Sequence, residues 1–312
     1  FVKMLKLVAV LALVAFAAAV PVSEDSTYVV DHDAIKNINN NMSTWWAGVN
    51  EKFVGWTWKE AKQLLGAHID RETFSLPVKS LDHIDDNDVP ASFDARKQWP
   101  KSIHPVRDQQ RCGSCWAFAA SEVLSDRFGI ASSGSEEAVL SAEDLVSCDT
   151  TDMGCQGGVL SNAWNYLKDT GIVTDTCFPY TAGQGSPATC ETKCVDSETF
   201  TKYKSKDAYQ IKTIPDIKKE IFTSGPVETG FKVYKSFMSY KSGVYQRHWW
   251  EFWDTFEGGH AVKIVGWGTD SGVDYWLVAN SWGTAWGEDG YFRIKQGDCA
   301  FEQQVFAGHA DV

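Results

Sequence analysis

Cys112-Gly113-Ser114-Cys115-Trp116 is the segment of this chain best suited to do chemistry, and it has two readings. As a Cys-x-x-Cys at a helix start it is a dithiol redox site, because the helix dipole lowers one thiol's pKa and the second cysteine resolves the mixed disulfide. In the other reading, one cysteine is structural and the other is a nucleophile. A thiol that cuts amides needs a neighbouring imidazolium, a group that orients that imidazole, and donors aimed at the developing oxyanion. Each has a candidate. Cys115 at a helix N-terminus supplies the thiolate, His260 protonates the leaving amine, and Asn280 accepts the other ring N–H. Gln109 can set a side-chain amide beside the Cys115 backbone N–H, making a two-donor oxyanion hole. Trp282 can shield the Asn280–His260 hydrogen bond from water. A zinc reading of Cys190-x-x-x-Cys194 lacks a second closely spaced pair of ligands, so neither a metal nor a cofactor is expected.

Two kinds of element must position these residues. Trp116, Ala119, Ala120, Val123, Leu124 and Phe128 recur at helical spacing, and Ser114 is in position to cap the helix, which therefore begins at or beside Cys115. Beyond about residue 200 the texture is β-rich: Ala261, Ile264 and Trp267 lie in one run, and Tyr275-Trp276-Leu277-Val278-Ala279 and Tyr291-Phe292-Arg293-Ile294 are strand-like between glycines. A chain of 312 residues, 44% apolar and 22% charged, has enough apolar material for a sizeable core and is neither a disordered tail nor a fibrous repeat. Its 29 basic and 41 acidic side chains give a net charge of −12, which disfavours nucleic acid as a partner.

The N-terminus gives the compartment. Lys3 and Lys6 precede an apolar run over residues 7–20 that ends in Ala17, Ala18 and Ala19, so residues 1–20 read as a signal peptide. The run is short of the ~20 residues needed to span a bilayer, and no membrane segment is expected in the mature form. Disulfides become the default on such an oxidising route. Residues 21–88 are polar and acidic, with helical-looking stretches over 33–50 and 56–65 that could not bury a core alone. They end in the exposed connector Asp85-Asp86-Asn87-Asp88, the kind of stretch where proteolytic nicking concentrates, and read as a pro-segment. Asn41-Met42-Ser43 is a glycosylation acceptor within it.

With Gly258-Gly259-His260-Ala261 and Asn280-Ser281-Trp282-Gly283, the catalytic candidates make this chain resemble the papain-like cysteine proteases, most closely their cathepsin B-like branch. Ser43-Thr44-Trp45-Trp46-Ala47-Gly48, Val89-Pro90-Ala91-Ser92-Phe93-Asp94-Ala95-Arg96 and Gly225-Pro226-Val227-Glu228 carry the resemblance through nearly the whole chain. It implies an α+β, papain-like two-lobed fold behind an N-terminal propeptide. The mature domain would cover 89–312, with a helical lobe over about 90–198, a β-rich lobe over about 199–312 and the cleft between them. It implies the disulfides Cys112–Cys155, Cys148–Cys190 and Cys177–Cys194, with Cys115 and Cys299 free. Six cysteines alone allow 15 pairings, and spacing does not choose among them.

The same resemblance implies that substrate binds in extended form along Gly157-Gly158, with Gly259 and Trp282 also facing it. The pocket for the second residue before the scissile bond would be lined by Leu160, Gly230, Ala261 and Gln304. Gln304 is neutral where cathepsin B has a glutamate, so arginine should be poorly accepted there. The histidine-bearing loop that makes cathepsin B trim dipeptides is not seen: the stretch between Cys177 and Cys190 contains no histidine, so endopeptidase action is expected. Residues 247–257 form an unusually aromatic insert, read either as local packing or as a wall of the primed side that includes His248. Partners are protein and peptide substrates and the chain's own propeptide as inhibitor. A monomer is expected, in a lysosome-like vesicle of the secretory pathway or secreted.

Overall fold

The computed structural model describes residues 24–41, 44–69, 76–196, 199–247 and 253–312. The signal segment 1–20 and Met42-Ser43 of the glycosylation triplet lie outside them. In chain order the elements are α1 (His32–Asn41), β1 (Trp45–Ala47), α2 (Trp58–Lys62), β2 (Phe93–Asp94), α3 (Ala95–Gln98), α4 (Cys115–Ala131), α5 (Ala142–Cys148) and α6 (Leu160–Asp169). Then follow β3 (Tyr209–Ile211), α7 (Ile214–Ser224), β4 (Val227–Tyr234), β5 (Tyr240–Tyr245), β6 (Phe256–Asp270), β7 (Val273–Ala279), β8 (Tyr291–Lys295) and β9 (Gln304–Ala307).

The architecture is α+β, with helices gathered in one half and one mostly antiparallel sheet in the other. Among the described residues the sheet order is β1-β5-β8-β7-β6-β4-β9-β3, with β2 also on β6 and only β5–β8 parallel. Helix α4 is buried from Cys115 to Gly129 on every side, as a helix does that runs through a core rather than over it. Helix α6 instead shows an amphipathic stripe, burying Leu160, Ala163, Trp164 and Leu167 at helical spacing. Each half has its own apolar cluster. One gathers Trp116, Val123, Leu124, Leu145, Leu160 and Trp164, and the other Phe231, Phe237, Tyr240, Trp276, Trp282, Trp286 and Phe292. Ala261 and Phe306 of the sheet belong to the helical cluster, so the halves share a seam.

The N-terminal segment departs from the helical expectation over 33–50. Helix α1 ends at Asn41, and Trp45–Ala47 is a strand whose residues alternate buried, exposed, buried. It extends the sheet antiparallel to β5, with Trp45 opposite Gly243 and Ala47 opposite Tyr240. The alternation of a strand is too short here to outweigh the helical pattern around it, and pairing with a distant edge decides the outcome. Trp45 packs on Tyr245 at 5.0 Å, and Asn50 donates to the carbonyls of Met238 and Tyr240. Over 56–65 the helix is only Trp58–Lys62, started by a capping box between Thr57 and Glu60.

Candidate active site

Cys115 opens α4, and the loop ahead of it is tied down twice. Cys112 is disulfide-bonded to Cys155, and the Gly113 N–H donates to the Cys155 carbonyl at 3.0 Å. The dithiol reading of Cys112 and Cys115 is excluded by that bond, which leaves Cys115 a free thiol. Cys148–Cys190 and Cys177–Cys194 complete the disulfides, removing the thiolates that a zinc site at Cys190 and Cys194 would need. Ser114 does not cap the helix with its side chain. Its hydroxyl lies 2.8 Å from the Tyr180 hydroxyl, while its carbonyl accepts the N–H groups of Ala117 and Phe118. Cys115 is fully buried, and burial pushes its thiol up to about 12 against hydrogen bonds from backbone groups of Ala261 and Gly66.

His260 lies on β6, directly opposite Phe231 of β4. Its Nε2 is 2.7 Å from Asn280 Oδ1, so Nε2 carries the ring proton in the neutral form and Nδ1 keeps its lone pair. Nδ1 is buried and makes no hydrogen bond of ordinary geometry. The Trp282 ring covers the imidazole at 4.7 Å and 30°. Burial holds His260 down to about 4, with the Asn280 bond and the Leu64 backbone working against it. Gln109, also fully buried, accepts from Ser281 Oγ at 2.8 Å through Oε1. Its Nε2 donates to two carbonyls, Cys112 at 2.8 Å and Leu64 at 3.0 Å.

Leu64 belongs to the N-terminal segment, which passes between the two halves. The Gly158 N–H donates to the Gly66 carbonyl at 2.8 Å, the His68 N–H to the Gly158 carbonyl at 2.9 Å, and the Ala67 N–H to the Gly259 carbonyl at 3.1 Å. Residues 66 and 67 thus form parallel bridges to Gly259 on one side and Gly158 on the other. Side chains are excluded at these edges. A Cβ on Gly158 would fall 2.5 Å from the Trp116 ring, and Gly157, at φ 108°, would place one 2.5 Å from the Gly66 carbonyl oxygen. Ile69 follows into a pocket beside Gly230 and Leu160, packed on the cluster that includes Ala261, and its carbonyl accepts from Gln304 Nε2 at 2.7 Å.

All twelve catalytic and substrate-binding candidates are therefore gathered around one cleft, and the segment 64–69 touches most of them. Gly66 and Ile69 were not among the sequence candidates. The small pair Gly66-Ala67, set among larger residues, is the only local trace of how closely that backbone approaches. The described ends of the aromatic insert pack on the sheet half. The Arg247 guanidinium lies 3.8 Å from the Tyr234 ring centre, and the buried Asp254 accepts from Ser236 N and Oγ. His248 and residues 249–252 lie outside the described residues. Among the described residues no cluster of three His, Cys, Asp or Glu side chains is arranged to hold a metal, and no helix is long and apolar enough to cross a membrane.

Known proteins of similar sequence and fold bear on this site. The model of the papain family of cysteine proteases matches residues 89–309. A cathepsin B-like protein of Giardia intestinalis, CP2, is 41% identical over 94% of this chain and 98% of its own length. Cathepsin B-like cysteine proteinase 4 of Caenorhabditis elegans is 40% identical over 87% of this chain and 90% of its own. Among solved structures, procathepsin B S9 of Trypanosoma congolense superposes with a TM-score of 0.83 at 34% identity, covering 92% of this chain and all of that one.

Proposed function

The chain belongs to the papain family of cysteine proteases, with cathepsin B-like relatives, and on that premise we propose that it is a cysteine endopeptidase made as a zymogen. In this reading residues 1–20 are the signal peptide, 21–88 the inhibitory propeptide and 89–312 the mature enzyme. It works in an acidic vesicle of the secretory pathway or outside the cell. The observation that carries the reading is the path of residues 64–69, which contact Cys115, His260, Gln109, Gly158, Gly259 and Gln304 in a single pass.

The Leu64 carbonyl oxygen stands in for a substrate carbonyl at Gln109 Nε2. When a peptide replaces the propeptide, the Cys115 thiolate attacks the scissile carbonyl carbon. The oxyanion that forms is held by Gln109 Nε2 and the Cys115 N–H, and His260 gives its proton to the departing amine. Water, deprotonated by His260, then releases the acyl group from sulfur. Asn280 keeps the imidazole oriented through both steps. In the precursor the Gly66 backbone hydrogen-bonds to the sulfur that would attack.

Ile69 in the pocket of Leu160, Gly230, Ala261 and Gln304 indicates what the mature pocket accepts: an apolar residue, with the Gln304 amide donating to backbone. Gln304→Glu should raise kcat/KM for arginine relative to phenylalanine at that position about tenfold, the scale of one charge-assisted hydrogen bond. Profiling with a library of internally quenched peptides tests this. A wild-type profile already dominated by arginine would contradict it. The histidine-free stretch between Cys177 and Cys190 supports cleavage inside chains, because it holds no cationic pair to bind a terminal carboxylate.

A further inference from the structure

We propose that Asp108, beside Trp282, forms a subsite on the leaving-group side of the cleft that takes a lysine or arginine side chain of a peptide substrate. The proposal rests on the endopeptidase reading and adds a specificity-determining residue to it. The order of contacts along the propeptide gives the direction. Ile69 lies beside Leu160 and Gly230 in the pocket for the second residue before the scissile bond, the Gly66 backbone hydrogen-bonds to the Cys115 sulfur, and the Leu64 carbonyl meets Gln109. The residues ahead of Leu64 therefore cover the other side of Cys115, where the departing half of a substrate lies.

On that side the propeptide sets two side chains against the mature domain. The Phe53 ring stands edge-on to Trp282 at 5.5 Å, and the Lys52 ammonium reaches Asp108 Oδ1 at 2.5 Å. The Lys52 side chain is only 8% exposed, and its nitrogen lies 5.5 Å from the centre of the Trp56 ring. Burial pulls this ammonium down from the ordinary lysine value, and Asp108 is the group that works against that loss. One carboxylate thus holds a cation in a largely desolvated place.

That carboxylate belongs to the mature domain, and mature-domain contacts fix it. Asp108 forms an antiparallel bridge with Trp282: the Gln109 N–H donates to the Ser281 carbonyl at 2.9 Å, and the Gly283 N–H to the Arg107 carbonyl at 3.0 Å. Asp108 Oδ1 accepts the Gln110 N–H at 2.7 Å, and Oδ2 lies over Gly283, where a Cβ would come within 3.0 Å of it. The next residue is Gln109, so the charge flanks the oxyanion site. Two arginines of the same loop are directed elsewhere, Arg107 to Asp175 and the Leu140 carbonyl, and Arg111 to Glu60. When the propeptide leaves, Asp108 loses its lysine. Electrostatic complementarity then favours a substrate that replaces it with an aliphatic stem ending in a cation.

The test uses the matured enzyme and internally quenched peptides blocked at the C-terminus, identical up to the scissile bond, with lysine or methionine placed in turn at each position after it. Mass spectrometry verifies that all are cut at the same bond. For wild type, kcat/KM with the best-placed lysine should exceed that with methionine about fivefold, the scale of a partly exposed ion pair. Raising the ionic strength from about 0.05 M to about 0.5 M should shrink that ratio toward one, a result that stands without any variant. Asp108→Asn, which keeps an oxygen for the Gln110 N–H, should bring the ratio to about one at low salt as well. A wild-type ratio near one, a ratio indifferent to salt, or one that survives in Asp108→Asn would overturn the proposal and leave the endopeptidase reading intact. Turnover of neither peptide would overturn that reading and this proposal with it.

Discussion

Cys115 should react with iodoacetamide at least about a thousandfold faster in the matured enzyme than in the precursor at pH 7. With its thiol pushed up to about 12, the precursor holds Cys115 almost entirely as the neutral thiol at that pH. The cause is desolvation by residues packed over the sulfur, and the Gly66 backbone that faces it leaves with the propeptide. Water then reaches both Cys115 and His260, so the burial terms that keep thiol and imidazole neutral are relieved together. Cys299 provides an internal control. It is a free thiol buried in the sheet half, and burial holds it far above the ordinary range as well. Labelling should approach one equivalent, mapped by mass spectrometry to Cys115. Equal rates before and after maturation would mean that the propeptide does not control the thiol.

Gly66→Ala should produce a leaky precursor, with Cys115 alkylated about a hundredfold faster than in the unaltered precursor. A Cβ at residue 66 would stand 1.9 Å from the Gly113 carbonyl oxygen and 2.9 Å from the Gly113 Cα. Neither atom can yield, because the Cys112–Cys155 disulfide and the Gly113–Cys155 hydrogen bond hold that loop. The propeptide must lift instead, losing the bond from the Gly158 N–H and its neighbours. Overpacking at about 1–3 kcal/mol and hydrogen bonds at about 1 kcal/mol each together exceed the roughly 3 kcal/mol that a hundredfold change requires. Val54→Ala, at an exposed propeptide position, should leave the rate unchanged. A Gly66→Ala precursor as unreactive as the original would show that the close approach carries no inhibition.

The helix behind Cys115 and the strands around His260 and Asn280 were legible because each signal is local: apolar residues at helical spacing, and β-branched or aromatic runs between glycines. Gln109 and Gly158 could be read only through motifs, since their meaning depends on partners far along the chain. Where local signals and long-range pairing disagreed, pairing decided. Trp45 and Ala47 left a helical-looking stretch for the edge of β5, and the Ser114 hydroxyl went to Tyr180 rather than to the helix end. Lys79 gave no signal at all. Its partners, the Tyr209 hydroxyl, the Glu220 carboxylate in an ion pair and His309, come from β3, α7 and the segment after β9, and only the folded chain brings them to one point. The reversed situation of Gly66, small because of what it touches, could not be told from an ordinary turn glycine.

Acid activation of the precursor, followed by cleavage of an internally quenched peptide blocked at its C-terminus, compares wild type with Cys115→Ala and tests the central claim most directly. The account predicts turnover by the activated wild type and none by Cys115→Ala. Turnover surviving in Cys115→Ala, or cleavage confined to peptides with a free C-terminus, would contradict a Cys115-dependent endopeptidase.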